Sequence, residues 1–522
     1  NFEDHPSAKP RPGKKKSMVK SGAKPRPLAA ITAFAAFIVV VYAVFMISLF
    51  TSLPPLHTSK TPDKFAKFAV ARALFEAEEE KKKSSFPVSI NDDTFEEINH
   101  PAAALKGESL TMSVPKFWDP PEYQNVGGVR NFLGEHGDRL MTKSEALSIG
   151  STVKLDDDTE LETIFVAISS YRDDECPNTV QSIFSRAKYP QRIRVAVVDQ
   201  VDEGDVECSK PRVPCEEDPT HALCLYPDQI DFFVMDATLA VGPVFARHIG
   251  HRMYRGEYYA MQCDAHVLFI NNWDEDIIGQ WHDAKNEMAV LTVYLSDVKF
   301  YDEETGESLT ESRPIMCESD YESKGNYRHL RHGQQPEGTP VVKEPVLEPY
   351  WAAGFSFNRG HFVVNVPYDQ YLPMIFQGEE INMGLRGFTY GYDYYASAYS
   401  VCFHIYAIGE NAKRRNKVPK FWEHTNLYDD VEEKAFLRLN GIIDMNPNED
   451  PNLWDHTDEK KYGIGKVRTT QKFFDTFGIH TKTQTVEGHL CRFVGRPMQN
   501  KFIPALRTNG MGIDYDKIDY KF

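Results

Sequence analysis

Asp264, Ala265 and His266 close the run Tyr258 to Cys263 (YYAMQC), which reads as a buried strand. Residues two apart in an extended segment face the same side, so the Asp264 carboxylate and the His266 imidazole can converge on one cation. A mixed carboxylate and imidazole pair suits Mn²⁺, with Mg²⁺ the weaker alternative. A divalent ion so held can bridge two phosphates and carry the charge that develops on a departing diphosphate. Alone, Asp-x-His is a common triplet and equally describes a strand-end carboxylate beside a surface histidine.

The elements around the triplet decide between these readings. Thr163 to Ser169 (TIFVAIS) is β-branched and apolar, and is followed by Ser170-Tyr171-Arg172-Asp173-Asp174 and a helical pattern of Cys176, Val180, Ile183 and Phe184. A second strand, Ile193 to Val198, ends in Asp199-Gln200. Next come Ile230 to Met235 and a helix opened by Gly242-Pro243 that carries Arg247. Strand, polar loop, helix and strand in alternation predict an α/β fold with a parallel sheet, and polar residues at the carboxyl ends of its strands are where a nucleotide binds. A P-loop is absent: Gly463-Ile464-Gly465-Lys466 would need glycine at position 460, which is Lys460.

The chain has 522 residues and 26% charged side chains, with 59 Lys and Arg against 76 Asp and Glu. Eight basic residues against Glu3 and Asp4 give residues 1–27 a charge of +6, which leaves −23 for the rest of a chain whose net charge is −17. So acidic a body repels phosphate backbones and argues against nucleic acid as a partner. Leu28 to Leu53 is uncharged throughout and long enough to cross a hydrocarbon core of about 30 Å. The basic residues before it place the N-terminus in the cytoplasm, which predicts a single-pass type II protein with a lumenal body, the architecture of Golgi membrane enzymes. The expected organisation is a cytoplasmic tail over 1–27, a transmembrane signal-anchor over 28–53, a stem over 54–160, the α/β domain over 161–425, and a C-terminal extension over 426–522 packed on it. The stretch Tyr301 to Pro349 reads as loop-rich. Cys176, Cys208, Cys215 and Cys224 crowd together without any Cys-x-x-Cys spacing, which predicts one or two disulfides in an oxidising compartment and argues against zinc.

The segment VGPVFARHIGHRMYRGEYYAMQCDAHVLFINNWDEDII (241–278) is distantly similar to the mucin-type polypeptide GalNAc-transferases, in which an Ala-Arg helix precedes a strand ending in Asp-x-His. More closely, the chain resembles glycosyltransferase family 60, the polypeptide α-N-acetylglucosaminyltransferases. That resemblance runs collinearly from IFVAISSYRDDECPNTVQSIF (from Ile164) through the triplet to Trp351-Ala352-Ala353-Gly354-Phe355-Ser356-Phe357. It continues through FQGEEINMGLRGFTYGYDYY (from Phe376), Phe403-His404-Ile405-Tyr406, and Tyr462 to Arg468. The threefold C-terminal carbohydrate-binding repeat usual in the mucin-type relatives is not evident in 426–522.

The resemblance implies a GT-A fold, a Rossmann-like nucleotide-diphospho-sugar transferase domain, behind one N-terminal transmembrane helix. Asp264 and His266 would be metal ligands and His404 the third, a position that its apolar surroundings alone would assign to the core. Ser169, Arg172, Asp199 and Trp351 would line the donor pocket with Asp264, and Arg247 would approach the diphosphate. Glu379 and Glu380 would lie against the sugar and the acceptor, with Asp393 a further candidate carboxylate. The implied activity is a Mn²⁺-dependent, retaining, front-face transfer of N-acetylglucosamine from UDP-GlcNAc to a Ser/Thr or hydroxyproline hydroxyl of a polypeptide or glycoprotein. The alternatives are another UDP-sugar such as UDP-GalNAc, or a membrane-tethered lectin-like protein without turnover.

Overall fold

Side chains of β1 (Ile164–Tyr171) go alternately to the two faces of a sheet, and each face is covered by a helix. Ile164, Val166 and Ile168 pack with Val180, Ile183 and Phe184 of α1 (Cys176–Ser185). Phe165 and Ala167 pack on the other side with Phe245 and Ile249 of α2 (Pro243–Arg252). A strand buried on both faces reads as a continuous apolar run, as this one does. The computed structural model describes residues 94–118, 137–324, 327–334, 339–424, 431–448, 450–488, 490–493 and 496–518.

Six more strands join β1 and β2 (Ile193–Val201) in one sheet: β3 (Ile230–Asp236), β4 (Tyr259–Asp264), β5 (Ala289–Thr292), β6 (Val346–Leu347), β7 (Phe355–Arg359) and β8 (Asp393–Ala396). Their spatial order is β6-β8-β5-β7-β4-β1-β2-β3. β4, β1, β2 and β3 run parallel, β7 opposes both β4 and β5, and β8 is parallel to β5. This is a mixed α/β fold of glycosyltransferase type around a large central sheet. α3 (Trp273–Asp283) and α4 (Glu379–Thr389) bury Trp273, Ile277 and Trp281, and Ile381, Leu385 and Phe388, in the same core as α1.

A second, small sheet sits at the carboxyl edge of the parallel strands. Cys402–His404 lies between Val267–Phe269 and Ser296–Asp297, and its register sets His404 opposite Val267, the residue after His266. β4 reaches one residue further than its apolar run suggests, so Asp264 is its last residue.

Several boundaries differ from the sequence reading. Of the stem expected over 54–160, the described residues 94–118 and 137–160 lie in the compact unit that contains the sheet. Phe95–Asn99 pairs with Thr111–Pro115, and Ala102, Met112 and Val114 join the α2 side of the core. Arg252 of α2 donates to Glu96 and to the Pro115 carbonyl. Short apolar stretches of this kind look like spacer until the surface that covers them is known. Within Tyr301 to Pro349, Met316–Lys324 and Tyr327–Gln334 form a long antiparallel hairpin rather than a loop. The clustered cysteines form two disulfides, Cys176–Cys208 and Cys215–Cys224, and a third, Cys317–Cys491, ties this hairpin to the C-terminal region. The basic tail, the Leu28 to Leu53 span and most of the expected stem lie outside the described residues. Among the described residues no helix is long and apolar enough to cross a membrane.

Candidate metal and donor site

Asp264, His266 and His404 each bring a ligand atom within 4.8 Å of the others. The β4 terminus supplies the first, the turn after it the second, and the small sheet the third. His266 Nε2 faces His404 Nε2 at 2.9 Å, and His404 Nε2 is 3.4 Å from Asp264 Oδ2. The Ile405 N–H donates to the His266 carbonyl at 3.0 Å, which locks the two segments together. A Cβ at position 354 would lie 3.0 Å from Asp264 Oδ2, so Gly354 is what lets β7 pass so close to the carboxylate. Two imidazoles and one carboxylate form a donor set suited to a divalent ion such as Mn²⁺, and the facing nitrogens fit one: two bare lone pairs at hydrogen-bond distance need a proton or a cation between them. Burial, reinforced by neighbouring His266, pushes the His404 imidazole down to about 4, so it is neutral at physiological pH and able to ligate.

Arg247 reaches from the middle of α2 to this cluster. Its Nη2 donates to Asp264 Oδ1 at 2.9 Å and its Nη1 donates to Glu379 Oε1. Burial opposes its charge, but the surrounding carboxylates outweigh that and hold its pKa above the ordinary arginine value. The Asp264 carboxylate is pulled upward by burial and then, more strongly, below its usual range by His404 and Arg247. Glu379 also accepts from Tyr368 Oη at 2.7 Å. Glu380 accepts from the Ala353 N–H at 3.0 Å and from the Tyr294 hydroxyl. Both glutamates begin α4, whose N-cap Gly378 has φ 100° and would drive a Cβ to 2.8 Å from Leu439 Cδ1. Burial raises the pKa of both, that of Glu380 to about 7. Trp351 is buried, its ring 6.2 Å from that of Tyr368.

The other donor-pocket candidates gather at the ends of β1 and β2. Ser169 sits opposite Asp264 in the β1 and β4 register, and Asp199 opposite Ser170. Asp199 is buried and accepts from the Cys208 N–H at 2.7 Å, while its Oδ1 has no hydrogen-bond partner. Burial raises its pKa. Arg172 turns through φ 51° and forks onto Asp205, with Nε at 2.6 Å and Nη2 at 3.0 Å. The Cys176–Cys208 disulfide joins the Asp199 to Cys208 loop to the start of α1.

Asp393 does not join these residues. It opens β8 in the register row of Ala289, which continues to Arg359 and Tyr259, at the amino end of β4. Five residues along β4 separate that row from Asp264, about 16 Å of strand. There Asp393 pairs with Arg468 at 2.8 Å and accepts from Asn286 Nδ2 and the Ile513 N–H, so it clasps the C-terminal segment to the sheet. Its place in a Tyr-rich motif near Glu380 gave no hint that α4 and a turn would carry it across the sheet.

Sequence reasoning passed over Asp173, Tyr294, Tyr368 and Arg415. Asp173 was readable as a strand-end carboxylate. The other three come from segments whose patterns carry no chemistry.

A family profile described as Glycosyltransferase (GlcNAc) matches residues 163–217 and 211–483. Among solved structures, GalNAc-T7 crystallised with UDP, GalNAc and Mn²⁺ is similar at 14% identity, over 74% of this chain and 73% of that one, with a TM-score of 0.40. Residues 1–349 of TarS from S. aureus are similar at 11% identity, over 53% of this chain and 71% of that one, with a TM-score of 0.29. The same fragment in complex with UDP-GlcNAc gives 12% identity, over 53% and 72%, and a TM-score of 0.28. No curated protein sequence matches the chain.

Two outcomes follow from this geometry. Asp393→Ala breaks a buried pair and is expected to cost about 3–5 kcal/mol of stability; thermal unfolding will show the loss, while Mn²⁺ affinity of the folded variant stays that of the wild type. A carboxyl with a raised pKa holds its proton in the folded state, so Glu380 contributes stability that declines as pH rises from 4.5 toward about 7. Denaturant unfolding in EDTA should therefore show a weaker fall in stability across that window for Glu380→Gln than for the wild type, and equal slopes would contradict the assignment.

Proposed function

The chain belongs to the Glycosyltransferase (GlcNAc) family, and from that premise we propose that it moves N-acetylglucosamine from UDP-GlcNAc to a hydroxyl of a polypeptide, Ser/Thr or hydroxyproline, with retention at the anomeric carbon. The convergence of Asp264, His266 and His404 at the end of β4 carries the proposal, because a departing diphosphate needs a cation and this donor set suits one. In the proposed front-face reaction the bond from the anomeric carbon to the diphosphate oxygen breaks as the bond to the acceptor oxygen forms. The acceptor proton passes to the diphosphate, so UDP leaves with it.

Asp264, His266 and His404 would hold Mn²⁺. Bound there, the ion would supply positive charge to offset the diphosphate as it departs. Arg247 keeps Asp264 ionised and fixes its Oδ1, which leaves Oδ2 toward the histidines. The guanidinium also joins Asp264 to Glu379 and so bridges the cation site to the first turn of α4. Glu379 and Glu380 would orient donor or acceptor hydroxyls, with Tyr368 and Tyr294 aiming their carboxyl groups. The unpartnered Oδ1 of Asp199 and the neighbouring Ser169 would receive the nucleoside. Arg172, occupied by Asp205, would hold the loop of that pocket rather than reach the nucleotide.

The proposed location is the Golgi membrane, in type II orientation, with residues 28–53 as anchor. Support comes from the uncharged span behind a basic tail and from three disulfides, which persist in an oxidising lumen. In sealed vesicles a C-terminal tag is expected to resist protease until detergent is added, whereas an N-terminal tag is cleaved at once. The reverse pattern would sink the topology.

UDP release by the full chain in detergent, measured with a panel of UDP-sugars and Ser/Thr/Pro-rich peptides, tests the reaction. Turnover is expected with UDP-GlcNAc and Mn²⁺, to be lost in EDTA, and to fall about a hundredfold or more in Asp264→Ala and in His404→Ala. Turnover only with another UDP-sugar would overturn the donor and keep the site.

A further inference from the structure

His266 shows one ring nitrogen to the other two ligands and the other to a carboxylate outside the donor set. Its Nδ1–H donates to Asp173 Oδ2 at 2.7 Å. Asp173 is 5% exposed and is gripped in turn by Arg415, Nη1 on Oδ1 at 2.8 Å and Nη2 on Oδ2 at 3.0 Å. A buried carboxylate of this kind costs free energy unless each oxygen is satisfied, and here both are.

The consequence for His266 is chemical as well as positional. A neutral imidazole carries one proton, and a carboxylate held against Nδ1 by a guanidinium fork accepts that proton there, which leaves the Nε2 lone pair bare. Nε2 is the atom that faces His404. The same pair also ties two separate segments together. Asp173 stands two residues beyond β1, past the left-handed turn at Arg172, while Arg415 ends the short helix Ala412–Arg415 beyond His404. The Asp173 and Arg415 pair therefore joins the loop that opens the nucleotide end of the sheet to the segment that follows the third ligand.

Resting on the metal reading proposed above, we infer that Asp173 and Arg415 are positioning residues which fix the tautomer and ring orientation of His266 for a divalent cation. Asp173 accepts from Nδ1, and Arg415 holds the Asp173 carboxylate in place for that bond. Neither offers an atom to the cation.

The test is Mn²⁺ titration of the full chain in detergent, followed by loss of the free-ion EPR signal, with pulsed EPR of the histidine nitrogens coupled to the bound ion. Asp173→Asn is expected to raise the Mn²⁺ Kd by about tenfold to a hundredfold and to change the coupling of one of two histidine nitrogens. Arg415→Gln should raise it less, and the double variant should bind no more weakly than Asp173→Asn alone. A residue that merely supports the loop would leave the nitrogen coupling as it was. Arg415→Gln keeps Asp173 and carries the test should Asp173→Asn fail to fold. Unchanged affinity and couplings in the variants would overturn the inference while leaving the metal reading intact. A wild-type chain that binds no Mn²⁺ would remove that reading and this inference with it.

Discussion

Two imidazole nitrogens facing each other at 2.9 Å beside a carboxylate form a crowd of lone pairs that only the surrounding structure can hold in place. Left alone, such groups would turn outward to water. The sheet prevents this by fixing the backbone on both sides: β4 ends at Asp264, and the Cys402–His404 strand pairs with the residues just after His266. Much of the surrounding architecture can be understood as what keeps that edge rigid and electrically balanced.

Balance comes from buried cations on opposite sides. Arg247 divides its guanidinium between Asp264 and Glu379, and Arg415 forks onto Asp173, which holds the far side of His266. Each arginine satisfies a carboxylate that would otherwise be costly to bury, and each links two chain segments distant in sequence. The two glutamates at the head of α4 differ in support. Glu379 takes the Arg247 guanidinium, whereas Glu380 accepts from a hydroxyl and an amide, and burial raises its pKa to about 7. Adjacent carboxyls with such different environments can take different roles in one site.

Around this edge the fold adds clamps. The Cys176–Cys208 bond fixes the loop whose N–H meets Asp199, the N-terminal segment from Phe95 to Pro115 covers α2, and Asp393 holds the C-terminal segment at the far end of the sheet. These contacts leave the Asp264 end of the sheet to the strand termini and α4, and they account for why the described residues of the expected stem pack on the body.

The α/β class and the first strands were legible because apolar runs make buried strands, and Asp264 and His266 were legible because they are two residues apart; a bend at Ala265 and His266, not the expected strand alternation, is what brings them together. The disulfide cluster was legible from spacing within one short stretch. His404 was not, since it stands 138 residues from His266 in an apolar run that reads as core, and only the resemblance marked it. Arg415, Tyr368 and the true place of Asp393 could not be read at all. Chain periodicity fixes which way a side chain points from its own element, but which groups then meet depends on how distant elements pack, and that is set by the core as a whole.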